Sequence, residues 1–155
     1  MRLALDGLQR HPVLLAGPAY PEVLAALQPF FDVEVVAEAD IVDPAMLATL
    51  LAGKSALMTT CTVRVDAAML AKHPHLHAVC KMGPLHADID LEACSRSGVM
   101  ATDTPEMSDG ESAPRQMASV AAENLIAAFG FGRAAGHPRN LLNVDVVCML
   151  GCCAG

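Results

Sequence analysis

Short apolar runs alternate along most of this chain with segments whose apolar positions recur at helical spacing. "PVLLAG" (12–17) is a compact run closed by Gly17 and Pro18, which predicts a strand buried on both faces. "YPEVLAALQPFF" (20–31) follows, with Val23, Leu24, Leu27 and Phe30 at helical spacing and Pro21 where a first turn accepts proline. "VEVVA" (33–37) predicts a second strand. "DPAMLATLLAG" (43–53) predicts a helix with Asp43 as N-cap, Pro44 at its first position and Gly53 as its stop. "SALMTT" (55–60) is a third strand, "VDAAMLAKHP" (65–74) a short helix ended by Pro74, and "LHAVCKMG" (76–83) a fourth strand. Asp90 then caps "LEACSRSG", a helix that Gly98 ends, and "VMATD" (99–103) is the fifth strand. Strands alternating with helices through short connections predict a parallel sheet covered on both faces.

After Thr102 the rhythm breaks. "TDTPEMSDGESAP" is polar and rich in turn formers, so it predicts a linker or surface loop. "APRQMASVAAENLIAAFG" (113–130) then predicts one long amphipathic helix, with Met117, Val120, Ala121, Leu125 and Ala128 in a stripe, Ser112 as N-cap and Gly130 as stop. The remainder is Gly-rich and then apolar.

Composition narrows the function. At 155 residues the chain is long enough to bury a core. Its formal charge of -7 and pI near 5.2 argue against nucleic acid, which needs clustered Lys and Arg. No apolar run approaches the roughly 20 residues that span a bilayer. "MRLALDGLQRHP" lacks a clean apolar stretch of about 7–15 residues and a small-residue cleavage site, so no signal peptide is expected. The six cysteines (Cys61, Cys80, Cys94, Cys148, Cys152 and Cys153) form no CxxC pair, and buried reduced thiols in a cytoplasmic protein are expected. Apolar content of 54% with only 3% aromatics implies a core of Ala, Leu, Val and Met.

Two clusters invite a chemical reading. "HPHLH" brings His73, His75 and His77 together, but Pro74 breaks any helix. On a strand, His75 and His77 would share a face without a third ligand, so a solvated pair is expected. Cys148, Cys152 and Cys153 lie in an apolar tail with no neighbouring His, which predicts a terminus rather than a metal site.

"ALMTTCTVRVDAAMLAKHPHLHAVCKMG" followed by "IDLEACSRSGVMATDTPE" resembles the first half of the substrate (catalytic) domain of the D-2-hydroxyacid dehydrogenases. Arg64-Val65-Asp66-Ala67 and Ile89-Asp90-Leu91-Glu92-Ala93-Cys94 carry the likeness. "RQMASVAAENLIAAFGFGRAAGHPRNLLN" is similar to the family's returning C-terminal segment. Between these blocks the family inserts its nucleotide-binding domain. A dinucleotide site needs GxGxxG between a strand and a helix. The nearest match, "GFGRAAG" (130–136), has the wrong spacing and follows a helix. "SDGES" (108–112) stands where the insert would be, so 105–112 is expected to be a replacement linker, joining 1–104 to 113–155 in a single domain.

The resemblance implies a flavodoxin-like, doubly wound α/β sheet of about five strands with the long C-terminal helix packed on it. It implies hydride exchange between NAD(P) and a 2-hydroxy or 2-oxo acid for the intact family. The family's catalytic Arg, Glu and His lie in the inserted domain, so no catalytic residue and no NAD(P) binding are expected here. The family's loop after the fourth strand reads Gly-Val-Gly and binds the substrate carboxylate through backbone amides. The matching residues are Gly83, Pro84 and Leu85. Proline has no N–H to donate, and Leu85 cannot take positive φ cheaply. The loop is either reshaped, with His86 as a new polar contact, or kept only for stability. Weak binding of a small 2-oxo or 2-hydroxy acid and a homodimer are the expected partners. The alternatives are a stand-alone carboxylate-binding or protein-interaction module, and a hydrolase built on His86 and Asp88.

Overall fold

Val13, Leu14, Leu15 and Ala16 are apolar toward both sides, and all four are buried in β1 (His11–Ala16). The computed structural model of the chain describes residues 10–60, 63–84, 89–104, 110–131, 138–143 and 145–146. The other strands are β2 (Phe31–Val36), β3 (Ala56–Thr59), β4 (Ala78–Lys81) and β5 (Met100–Thr102). All pair in parallel, in the order β2-β1-β3-β4-β5. That order is the flavodoxin-like one. One register row runs Val33, Val13, Ala56, Ala78 and Met100 across the sheet.

The helices are α1 (Pro21–Leu27), α2 (Pro44–Leu51), α3 (Ala67–Lys72), α4 (Leu91–Arg96) and α5 (Ala113–Ala128). Side chains alternate across each strand, so the sheet feeds two cores. Val13, Leu15, Met58 and Cys80 pack with Val23 and Leu27 of α1 and Leu125 of α5. Leu14, Leu57 and Val79 pack with Leu47 of α2, Leu70 of α3 and Cys94 of α4. The fold is doubly wound.

Caps match the pattern at several ends. Asp43 accepts from Ala45 N–H at 3.1 Å and Asp90 from Ala93 N–H at 3.0 Å. Asp66, which the pattern does not mark, accepts from Met69 N–H at 2.9 Å and starts α3. Gly130, at φ +83, closes α5: its N–H reaches Ala127 O at 3.0 Å and the Phe131 N–H reaches Ile126 O at 3.1 Å.

Three expectations are corrected. Helix α1 stops at Leu27, since Pro29 has no N–H to extend it; Phe30 lies in a turn and Phe31 opens β2. Ser112 does precede α5 but makes no capping bond, because the 3-10 turn Gly110–Ser112 already gives it helical backbone; its hydroxyl accepts from Gln116 instead, at 3.3 Å. The buried stripe of α5 is Ala118, Ala121, Ala122, Leu125 and Ala128, with Met117 and Val120 only half-buried. Small side chains let α5 lie close to the sheet, and the larger ones fall to its flanks.

Residues beyond the junction seal the β5 edge. Leu141 bridges Thr102 in antiparallel fashion, and the Leu142 N–H reaches Ala101 O at 2.9 Å. Asn143, buried, accepts from Ala101 N–H at 2.9 Å and donates to Val99 O at 2.8 Å. No helix among the described residues is long and apolar enough to cross a membrane.

Candidate functional site

In an open parallel sheet the chain leaves every strand at the same edge, and a crevice opens where the winding reverses. Here the reversal lies between β1 and β3. Gly17 follows β1 at φ +149, and a Cβ there would sit 3.0 Å from Thr60 Oγ1 and 3.3 Å from Met82 Cε. Only glycine fits that approach. The three central strand ends are tied together: Thr59 Oγ1 donates to Ala16 O at 3.0 Å and Met82 N–H to Thr59 O at 2.8 Å. Thr60 Oγ1 donates to the Glu38 carboxylate.

Lys81 ends β4 at only 5% exposure, with its ammonium donating to Thr60 O at 2.7 Å. A buried ammonium is tolerated only when hydrogen-bonded. Two residues on, Gly83 takes φ +128, a conformation costly for any other residue. Its N–H donates to Thr104 Oγ1 at 2.7 Å, and Thr104 N–H returns a bond to Gly83 O at 3.1 Å. Pro84 is exposed. Of the three expected loop positions, Gly83 has its amide engaged inside the fold and Pro84 has none. Leu85, His86 and Asp88 lie outside the described residues.

The histidine cluster disperses. His73 is buried, and burial, with the Lys72 charge adding to it, holds its pKa below the ordinary 6.5. His75 is exposed. His77 is half-buried rather than solvated: its Nε2 donates to Ala128 O at 2.9 Å, and its ring stands edge-on to Phe129 at 4.7 Å. No group of three His, Cys, Asp or Glu among the described residues is placed to hold a metal ion.

Thiol chemistry finds no support among the described cysteines. Burial pushes Cys80 up to about 12 and Cys94 up to about 11, so both stay protonated at neutral pH. Both are free, while Cys61, Cys148, Cys152 and Cys153 lie outside the described residues. Asp66 is held below its ordinary value mainly by the Met69 amide, with Arg64 contributing. The turn after β1 does not fit a dinucleotide: it reads Gly17-Pro18-Ala19-Tyr20, with one glycine, and Pro18 lacks an amide donor where a pyrophosphate needs several.

The sequence pattern does not mark Lys81, Thr60 and Thr104. A charged residue inside the apolar run "HAVCKMG" is the one signal that could have drawn attention to Lys81.

Residues 13–137 match the family model described as D-isomer specific 2-hydroxyacid dehydrogenase, catalytic domain. The chain belongs to this family. A curated relative, the glyoxylate reductase of Aeropyrum pernix, is 34% identical over 101 residues, which are 63% of this chain and 29% of that protein. Among solved structures, a Polaromonas sp. JS6 66 protein classed with the NAD-binding D-isomer specific 2-hydroxyacid dehydrogenases matches at 25% identity and a TM-score of 0.54. That match covers 62% of this chain and 30% of the other. The NAD+-bound 3-phosphoglycerate dehydrogenase of Entamoeba histolytica shares the fold at 10% identity and a TM-score of 0.52, covering 63% of this chain and 33% of its own. The chain thus spans about a third or less of the length of these dehydrogenase-family relatives.

Proposed function

We propose that this chain is a substrate-recognition domain of the D-2-hydroxyacid dehydrogenase type. It would hold a small 2-oxo or 2-hydroxy acid weakly at the loop after β4 and transfer no hydride by itself. The observation that carries this reading is Gly83: it leaves β4 at positive φ on the carboxyl edge and is locked to Thr104 through both its N–H and its C=O. That lock fixes where the loop begins. It also uses one amide, and Pro84 removes a second, so few donors remain for a carboxylate and binding stays weak. The name of the Aeropyrum pernix relative supports the ligand class, since glyoxylate is a 2-oxo acid. The absence of a GxGxxG turn after a strand supports the lack of hydride transfer. Residues 105–112 then serve as a short linker in place of the nucleotide-binding domain. The free buried thiols of Cys80 and Cys94 support a cytoplasmic setting.

A second reading, a protein-interaction module, is favoured by three exposed apolar side chains: Val35 in β2, Val42 just before α2 and Met46 near its start.

NMR titration with glyoxylate and pyruvate separates the two. The first reading expects weak, saturable shifts around Gly83. The double variant Pro84→Val, Leu85→Gly restores a backbone donor and access to positive φ. A charge-assisted amide–carboxylate bond contributes roughly 1.5–3 kcal/mol, so the variant should bind about tenfold tighter or more. Equal or tighter binding by the parent chain would overturn the weakened-cradle account. NADH should remain unoxidised with either acid, and oxidation would overturn the assignment of hydride transfer to other residues.

A further inference from the structure

The sheet face opposite α5 carries a groove that shares no residue with the carboxyl-edge site. It opens between α2 and α3, with a cavity volume of about 290 Å³. At about 30 Å³ per water-sized group it accepts a ligand of on the order of ten non-hydrogen atoms, the low end of small-molecule sites. Leu47, Ala48 and Met69 form apolar walls, and Arg64, Lys72 and His73, each with a nitrogen-bearing side chain, also line it.

The charge around this groove is opposite to that of the whole chain. Two cations, Arg64 and Lys72, and one carboxylate, Asp66, line it, whereas the chain carries -7 overall. Arg64 reaches Asp66 through Nε alone, at 3.1 Å, so its terminal guanidinium nitrogens make no hydrogen bond among the described residues. Lys72 has no ion pair among the described residues. His73 is 7% exposed, and its ring makes no hydrogen bond with a described residue although it lines the cavity. Its ring nitrogens are not among the buried polar atoms left without a partner, so water reaches them, and an acceptor placed in the groove would take that water's place. Burial and the Lys72 charge hold that ring neutral, with one N–H available to donate.

We infer that this groove binds a small carboxylic acid with an apolar tail, the tail against Leu47, Ala48 and Met69 and the carboxylate among Lys72, the Arg64 guanidinium and the His73 ring. Tail and head each have a complementary surface, and neither alone fills the site. An acid lacking the tail leaves the apolar walls wet. A neutral molecule with the same tail leaves the three nitrogen groups as they were.

Octanoate, 1-octanol and acetate are the probes, titrated into the full chain while backbone amide shifts are followed. Octanoate should saturate, with its largest shifts on α2, α3 and the Arg64–Asp66 segment. Octanol and acetate should bind at least about fivefold more weakly. Lys72→Gln changes an exposed residue and should weaken octanoate about fivefold, the upper end for a solvated ion pair. Ala48→Phe fills the cavity and should abolish saturation while leaving glyoxylate titration unchanged. Octanol binding as tightly as octanoate would mean apolar adsorption only and overturn the inference. So would octanoate shifts mapping elsewhere, an unchanged Lys72→Gln variant, or no saturation.

Discussion

His73 and Lys81 are both buried beside polar atoms, yet they solve the problem of buried charge in opposite ways. Lys81 keeps its ammonium satisfied by Thr60 O. His73 instead avoids the charge, its pKa lowered first by burial and then by Lys72. In the unfolded chain the imidazole returns to about 6.5. Between that value and the lower folded one, the unfolded state binds more protons, so stability rises with pH. The contribution is complete above the unfolded pKa and is lost as pH falls below it toward the folded pKa. Denaturant midpoints measured from pH 7.5 down to 5.5 should fall, and His73→Gln should flatten that part of the slope. An unchanged slope in the variant would assign the acid sensitivity to other groups. The sequence placed His73 in a run of three histidines but could not separate them. Burial is set by tertiary packing, which brings Leu47 of α2 to the same groove as His73 across 26 residues. Gly83 and Pro84 were legible as a loop because glycine and proline constrain backbone locally. Thr104 was not, since it meets Gly83 across 21 residues.

At the level of elements, the inner strands were readable because a strand buried on both faces is written as an unbroken apolar run, whereas the edge strand β2 interleaves Asp32 and Glu34 with its valines. Helix faces were less so. Periodicity gave α5 its length, but Met117 and Val120 outrank alanine in hydrophobicity while alanine wins in space, so the true buried stripe is offset. The strap over β5 was invisible for another reason: Asn143 acts there through its side-chain amide, which copies a backbone N–H and C=O pair. Asn124, also buried, secures the strap from α5, donating to Asn140 Oδ1 at 3.1 Å and to Asp103 O at 3.3 Å. Asn143→Ala would leave Ala101 N–H and Val99 O without the partner they have among the described residues. Each orphaned buried group costs about 1–3 kcal/mol, which should appear as a lower urea midpoint. Amide exchange gives the sharper readout, because Ala101 should lose protection ahead of Ala78 and Val79 in β4. Retained protection at Ala101 would mean the strap does not hold the edge.

For the whole molecule, the opposing quantities are charge and exposed apolar surface. Val42 is 77% exposed, Met46 48% and Val35 45%, in β2 or in the segment next after it, and among the described residues β2 pairs with β1 alone. An unpaired strand edge beside apolar side chains favours association with a second copy. Two features oppose it. Asp32 and Glu34 are exposed on the same strand, with Lys54 at 2.8 Å offsetting only part of the Glu34 charge, and the chain's charge of -7 repels its own kind. Antiparallel pairing of two β2 strands about Val33 would set Asp32 against Glu34 of the other copy, so like charges would face each other. Association should therefore be weak and depend on salt. Screening shortens the reach of the repulsion from about 10 Å at 0.1 M to about 3 Å at 1 M, while the apolar contact is undiminished. Light scattering should show a concentration-dependent monomer–dimer mixture whose dimer fraction grows with added salt. Val42→Lys, on the most exposed of the three residues, should return the chain to monomer at every salt concentration. A strict monomer in the parent at high protein and high salt would reject self-association. A dimer that weakens with salt, or that survives Val42→Lys, would move the contact away from this side of the sheet and onto ion pairs.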